Sequence, residues 1–294
     1  MLIKQAIIEY ERWKGINASR STMSGYGVQL RQFALFVGSN KIVEDITISE
    51  VANWFQGMID LGWQQNSFLP KASALRDFFV FLTGLKLDVL DPKLIVIPRK
   101  EHKPLEVIDT NDFKRIIKHV ETNTKEHTKK RDLAILWLLW DTGVRVGELC
   151  SLNVNQAENN KALIKTEKAK HSRPFRTIHW SKQTQICVED WLQQRIKIET
   201  DHDGLFVGLD ARKQHMRMST RSVQRVVKDV SHNLEIPTLT PHTFRHSKAH
   251  RVLERGGNGA DVMNLLGHSN LSTSSRYVEM FGKELEQRAK LFIE

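Results

Sequence analysis

The sequence predicts a mainly α-helical chain of two domains with one small β-hairpin. Apolar residues recur at helical spacing through the first stretch of about 85 residues, with no strand-like alternation. Pro92, Pro98 and Pro104 then break that pattern. Beyond them, helical segments flank two short β-prone runs separated by a basic turn. The 294 residues suit about two ordinary domains, and a 40% apolar fraction is enough to fill two cores.

Leu2, Ile3, Ala6, Ile7, Tyr10 and Trp13 share one face of a helix over residues 2–14. A second helix starts near Ser21 or Thr22 and carries Val28, Leu30, Phe33, Leu35 and Phe36 before Gly38. Thr47 and Glu50 have the spacing of a capping box. They open a third helix bearing Val51, Trp54, Phe55, Met58 and Ile59. A fourth runs from about Asn66 to Thr83, with Leu75, Phe78, Phe79 and Leu82 inward. Four helices without a strand make a small bundle, residues 1–97. Arg99, Lys100, His102 and Lys103 lie between prolines in a linker, residues 98–105. Proline excludes a continuing helix there, and the charge excludes a core strand.

The second domain, residues 106–294, opens with a helix capped at Thr110 and bearing Phe113, Ile116, Ile117 and Val120. The next runs from Thr128 to Asp141 with an apolar body, Leu133 to Trp140. Gly143 ends it, and Arg145-Val-Gly-Glu-Leu begins another. Strands follow at Ala162–Thr166 and Pro174–Ile178, joined by Lys168-Ala-Lys-His-Ser-Arg173. A helix over Ser181–Ile198 packs through Ile186, Val188, Trp191 and Leu192, and Leu205-Phe-Val-Gly is extended. Helices then occupy roughly 219–235, 241–255, 259–266, 271–280 and 283–292.

The 44 Lys and Arg outweigh 34 Asp and Glu, for a net charge of +10. That excess points to a polyanion, and nucleic acid is the commonest one. It is spread over both domains without a run of five like charges, so it is no disordered tail. Cys150 and Cys187 stand in apolar helical settings and read as core thiols of a reducing compartment. No apolar run approaches the ~20 residues needed to span a bilayer. The N-terminus carries Lys4, Glu9, Glu11 and Arg12 and so lacks a signal-peptide core. A cytoplasmic protein with no membrane partner is expected.

Several residues stand out for their chemistry. Arg145 follows a glycine turn and opens a helix, where its charge opposes the helix dipole. A bound anion would justify it, with Glu148 orienting the guanidinium; a surface Arg–Glu pair is the plainer explanation. The lysines at the hairpin tip are either a solvated turn or a mobile loop carrying charge to an anion. His242 and Arg245 occupy the first turn of a helix begun by Thr240-Pro241, where backbone N–H groups attract anions. His242, His246 and His250 also form a helical stripe that suits a metal, although the glutamate base of a His-Glu-x-x-His enzyme is missing. His268 follows Leu265-Leu-Gly267, a helix end closed by glycine. Of the three tyrosines, Tyr10 and Tyr26 have ordinary core explanations, while Tyr277 lies beside Arg276 in a polar stretch.

In order and spacing these motifs resemble the tyrosine recombinases, the site-specific integrases of the Xer-like and phage or transposon type. The resemblance rests on Thr142-Gly-Val-Arg-Val-Gly-Glu-Leu, the Lys168 hairpin, His242-Thr-Phe-Arg-His, Leu265-Leu-Gly-His-Ser-Asn-Leu-Ser-Thr-Ser and Tyr277, over about residues 106–280. It implies an N-terminal core-DNA-binding domain followed by a catalytic domain. Tyr277 would be the nucleophile, Arg145 and Arg245 the phosphate clamp, Lys168 the acid for the leaving oxygen and His242 an aid to proton transfer. His268 would hydrogen-bond the phosphate, Glu148 would support its neighbours, and Lys170 and Arg173 would touch DNA phosphates. The family hairpin carries glycines around its lysine, where this chain reads Thr166-Glu-Lys-Ala-Lys170. Lys168 fits the register of Arg173, with Lys165 and Lys170 as competitors. The resemblance further implies double-stranded DNA as partner, four protomers on two sites, and no metal, ATP or other cofactor. The alternatives are a non-catalytic DNA-binding protein on the same scaffold and a histidine-stripe metalloenzyme.

Overall fold

A computed structural model of the chain describes residues 1–99, 105–166, 174–209, 215–236, 238–267, 277, 281 and 282. The chain divides into two compact units, Met1–Lys103 and Pro104–Glu294. Among the described residues, no helix is long and apolar enough to cross a membrane.

The first unit contains α1 (Ile3–Asn17), α2 (Arg20–Val37), α3 (Ile48–Asp60) and α4 (Leu69–Gly84). Ser19 caps α2 through the Thr22 N–H, and the Thr47–Glu50 capping box is formed at α3. Tyr10, Leu30, Phe33, Leu75, Phe78, Phe79 and Leu82 are fully buried. Some expected core positions are not: Trp13, Val28, Leu35, Phe36 and Ile59 are exposed. On α2 the inward stripe is Leu30, Phe33 and Ala34, and Val28 and Leu35 share the opposite side. Lys71 is buried in α4, with its Nζ donating to the side-chain oxygens of Gln29 and Gln32 at 2.6 Å each. The same Nζ lies 5.4 Å and 5.1 Å from the Trp54 and Trp63 ring centres. Burial holds its pKa below the usual lysine range.

In the second unit α5 (Thr110–Asn123) is capped by Asp109, one residue before the expected Thr110. The Asp109 carboxylate accepts from the N–H groups of Asn111 and Asp112, a stronger cap than a threonine hydroxyl. The following α6 (Glu126–Thr142) buries Ala134, Ile135, Leu136, Leu138 and Leu139 completely and ends at Gly143 in the left-handed conformation. After α7 (Val146–Ser151), β1 (Lys161–Lys165) pairs antiparallel with β2 (Phe175–His179), placing Ile164 opposite Arg176. On α8 (Lys182–Arg195) Cys187 is buried, whereas Ile186 is exposed. Leu205, Phe206 and Val207 are buried, and Trp191 donates to the Leu205 carbonyl at 2.8 Å. Then come α9 (Thr220–Asn233), α10 (Pro241–Glu254) and α11 (Gly259–Leu266). The helices expected over 271–280 and 283–292 lie outside the described residues, save Tyr277, Phe281 and Gly282, which are helical.

Candidate active site

Two glycine-terminated helix ends and one N-terminal turn build the site. Gly143 closes α6 with φ +60°, and Arg145 follows as the N-cap of α7. Arginine is a poor cap by itself. Here Glu148, one turn on, completes the cap by accepting from the Arg145 N–H at 2.9 Å and from its Nη1 at 3.0 Å. The Glu148 side chain is fully buried. It also accepts a two-pronged pair from β2: Arg176 Nη1 at 2.9 Å and Nη2 at 2.7 Å. Burial opposes the Glu148 charge, but Arg176 first and Arg145 second hold its pKa below the ordinary carboxylate range.

The second helix end is that of α11. Gly267 closes it with φ +66°, leaving its last carbonyls unsatisfied within the helix. The guanidinium groups fill that role. Arg145 donates to the Gly267 carbonyl from both Nη atoms, at 3.3 Å and 3.2 Å. Arg245 donates to the Leu266 carbonyl at 2.7 Å and to the Gly143 carbonyl at 2.8 Å. Arg245 is buried, and burial pushes its pKa down to about 9, with the Arg145 charge adding to the push. It is still a cation at neutral pH. Both its Nη atoms face neutral carbonyls, so the site holds positive charge that an anion would stabilise.

Tyr277 joins a small core with Ala249, Leu253, Val262, Leu266 and Phe281. Its ring is buried, and its hydroxyl pairs with His246 Nδ1 at 2.8 Å. His242, one turn before His246, is exposed on a groove of about 950 Å³ shared with Val146, Gln224, Lys228 and His232. The His242 and His246 ring centres are 6.3 Å apart.

The structure therefore brings Arg145, Glu148 and Arg245 together, with Tyr277 close by. Lys168, Lys170, Arg173 and His268 lie outside the described residues. Lys165 ends β1 and is exposed. The histidine stripe is otherwise engaged: His246 Nδ1 meets Tyr277 and His250 Nδ1 lies 3.5 Å from Glu254. Among the described residues no group of three His, Cys, Asp or Glu side chains is placed to hold a metal. Sequence reasoning missed two members of the site, Arg176 and His246. Strand alternation was the available signal for Arg176, because it shares the face of Ile178, which is buried. For His246, no sequence signal distinguishes a tyrosine partner from a metal ligand.

The sequence and the fold match known proteins across nearly the whole chain. Residues 106–284 match the phage integrase family, and residues 13–85 match the phage integrase N-terminal SAM-like domain. The chain belongs to the phage integrase family and is a site-specific DNA recombinase of the tyrosine type. It is 29% identical over 274 residues to tyrosine recombinase XerC of Thermodesulfovibrio yellowstonii, covering 91% of this chain and 88% of that one. Against tyrosine recombinase XerC of Corynebacterium efficiens it is 24% identical, covering 92% and 84%. The fold is shared with the Tn1549 transposon integrase in complex with transposon right end DNA, at 19% identity and TM-score 0.72, covering 98% of this chain and 100% of that one. It is also shared with a lambda integrase dimer bound to a COC′ core site, at 16% identity and TM-score 0.73, covering 96% and 78%.

Proposed function

We propose that the chain cleaves and rejoins double-stranded DNA through a 3′-phosphotyrosyl intermediate formed on Tyr277. The observation that carries this reading is the convergence of Arg145 and Arg245 on the Leu266–Gly267 turn, beside the core that holds Tyr277. In the first step the Tyr277 oxygen bonds to phosphorus as its proton passes to a base, and the bond from phosphorus to the 5′ oxygen breaks. His246 Nδ1, 2.8 Å from the hydroxyl, is placed to accept that proton, with His242 as the next ring toward the groove. Lys168 gives a proton to the departing 5′ oxygen, and His268 hydrogen-bonds the phosphate. Arg145 and Arg245 offer paired N–H donors to the non-bridging oxygens, a geometry lysine does not supply. A 5′-hydroxyl of a second duplex then attacks the phosphotyrosyl ester and restores both a diester and the free phenol. The ester conserves the bond energy and the arginines supply the positive charge, so the cycle needs neither ATP nor a metal.

Residues 1–97 serve as the core-DNA-binding domain, joined through 98–105 to the catalytic domain, 106–294. Lys170 and Arg173 touch DNA phosphates. Four protomers assemble on two sites in the cytoplasm. The net charge of +10 and the DNA-bound state of the structurally similar integrases support this reading. Tyr277→Phe tests it. Wild-type protein incubated with fragmented genomic DNA should yield a denaturation-resistant protein–DNA adduct, and the variant should yield none. An adduct that persists in the variant would assign the nucleophile elsewhere.

A further inference from the structure

We propose that Arg176 is a positioning residue for strand cleavage: it neutralises Glu148, so that Arg145 and Arg245 keep their charge for the phosphate, and it ties the hairpin stem to that clamp. The inference rests on the phosphotyrosyl reading above.

The contacts of Glu148 are unequal. Arg176 meets it with two prongs at 2.9 Å and 2.7 Å, whereas the Arg145 guanidinium meets it through Nη1 alone at 3.0 Å. Parallel N–H pairs to a carboxylate are the stronger arrangement. Arg176 is thus the main counter-ion of Glu148, and Arg145 is free to keep its field. Charge counting gives the same result. Apart from Lys168, which gives its proton to the leaving oxygen, Arg145, Arg176 and Arg245 with Glu148 sum to two positive charges. A phosphodiester attacked by a phenolate passes through a phosphorane bearing two negative charges. Without Arg176 the cluster would hold one positive charge, and the buried carboxylate would compete with the phosphate for Arg145.

Geometry supplies the second part. Arg176 stands in β2, and its Nη1 also donates to the Thr166 hydroxyl at 3.2 Å. Thr166 ends the hairpin stem and stands two residues before Lys168 in the sequence. On its other side the guanidinium lies against Gly267, where a Cβ would come within 2.7 Å of Nη1. Among the described residues the buried Arg176 Nε has no hydrogen-bond partner, and the Nη groups make the polar contacts that orient the side chain. One guanidinium therefore touches the hairpin stem, the shared carboxylate and the turn whose carbonyl Arg145 binds.

A structural brace and a charge-setting residue respond differently to a second substitution. Cleavage is followed on a nicked duplex carrying a site recovered by sequencing DNA attached to the wild-type protein. Arg176→Met should slow adduct formation by about a hundred-fold, the scale of removing one donor from a preorganised electrostatic site. Adding Glu148→Gln restores the net charge and should recover at least about ten-fold of that loss. The Arg176→Met rate relative to wild type should rise as the pH is lowered, because protonating Glu148 does what the glutamine does, while any protonation of the base at Tyr277 slows both proteins alike. Arg176→Lys, which keeps the charge, should fall between wild type and Arg176→Met. If Arg176→Met does not fold, the double variant decides: cleavage near the wild-type rate supports the proposal. A double variant that folds but cleaves no faster than Arg176→Met, or not at all, overturns it. A wild-type protein that captures no DNA overturns the phosphotyrosyl reading instead.

Discussion

Glu148 is the residue on which the charge balance of the site turns. Its pKa is held below the ordinary value of 4.5 by Arg176 and Arg145 despite full burial. A group whose folded pKa is depressed binds fewer protons in the native than in the unfolded state. Its stabilising contribution is complete above the unfolded value and is lost as pH falls through the folded one. Urea midpoints should therefore show wild type more stable than Glu148→Gln at neutral pH, with the gap narrowing as the pH falls through 4.5 and below. A gap that widens on acidification would mean the carboxylate is a net burden. Arg245 behaves in the opposite sense: its pKa is lowered to about 9 by burial, so its charge is a cost to the fold that a bound anion would relieve.

Glycines at two helix ends fix where the arginines meet. Gly267 needs its left-handed backbone, and it also needs no side chain, because Arg176 occupies the space a Cβ would take. Gly267→Ala should lower stability by at least about 1–2 kcal/mol, the cost of the left-handed conformation for an ordinary residue. It should lower cleavage further by displacing Arg176. Gly57→Ala is the control. Gly57 lies inside α3 with nothing within 4 Å of an added Cβ, so the change should be neutral or stabilising by about 0.5–1 kcal/mol. Equal effects from the two substitutions in chemical denaturation would show that the turn is not under this constraint. The N-terminal ends are equally local: Asp109, Ser181, Ser219, Thr240 and Asn258 each cap the helix that follows.

The whole molecule is two compact units, each with its own apolar core, in a chain with a net charge of +10. DNA affinity should fall steeply and log-linearly with salt, since phosphate binding releases counterions. Replacing Lys170 or Arg173 with alanine should reduce the slope by about one for each phosphate no longer neutralised, while Tyr277→Phe should leave it unchanged. A salt-independent affinity would contradict binding through the phosphate backbone. Sequence periodicity located the helices of both units up to α11 because amphipathic spacing and caps are local properties. It failed at Val28, Leu35 and Ile186, which are apolar but face solvent, because the side of a helix that is covered depends on its neighbours. The motif spacing brought Arg145, Glu148, Arg245 and Tyr277 to notice but was silent on what each would touch.

The sequence by itself determined the helical class, the hairpin, the basic charge and the family-like order of Arg145, Lys168, His242, Arg245, His268 and Tyr277. Tertiary structure alone decided that Arg176 takes the larger share of Glu148, that His246 holds the Tyr277 hydroxyl, and that Arg145 and Arg245 both rest on the end of α11. The division has a physical cause. Capping, periodicity and charge are set by residues a few positions apart. The hydrogen bond between His246 and Tyr277 spans 31 positions, and that between Arg145 and Gly267 spans 122. Only the packed chain brings such residues together.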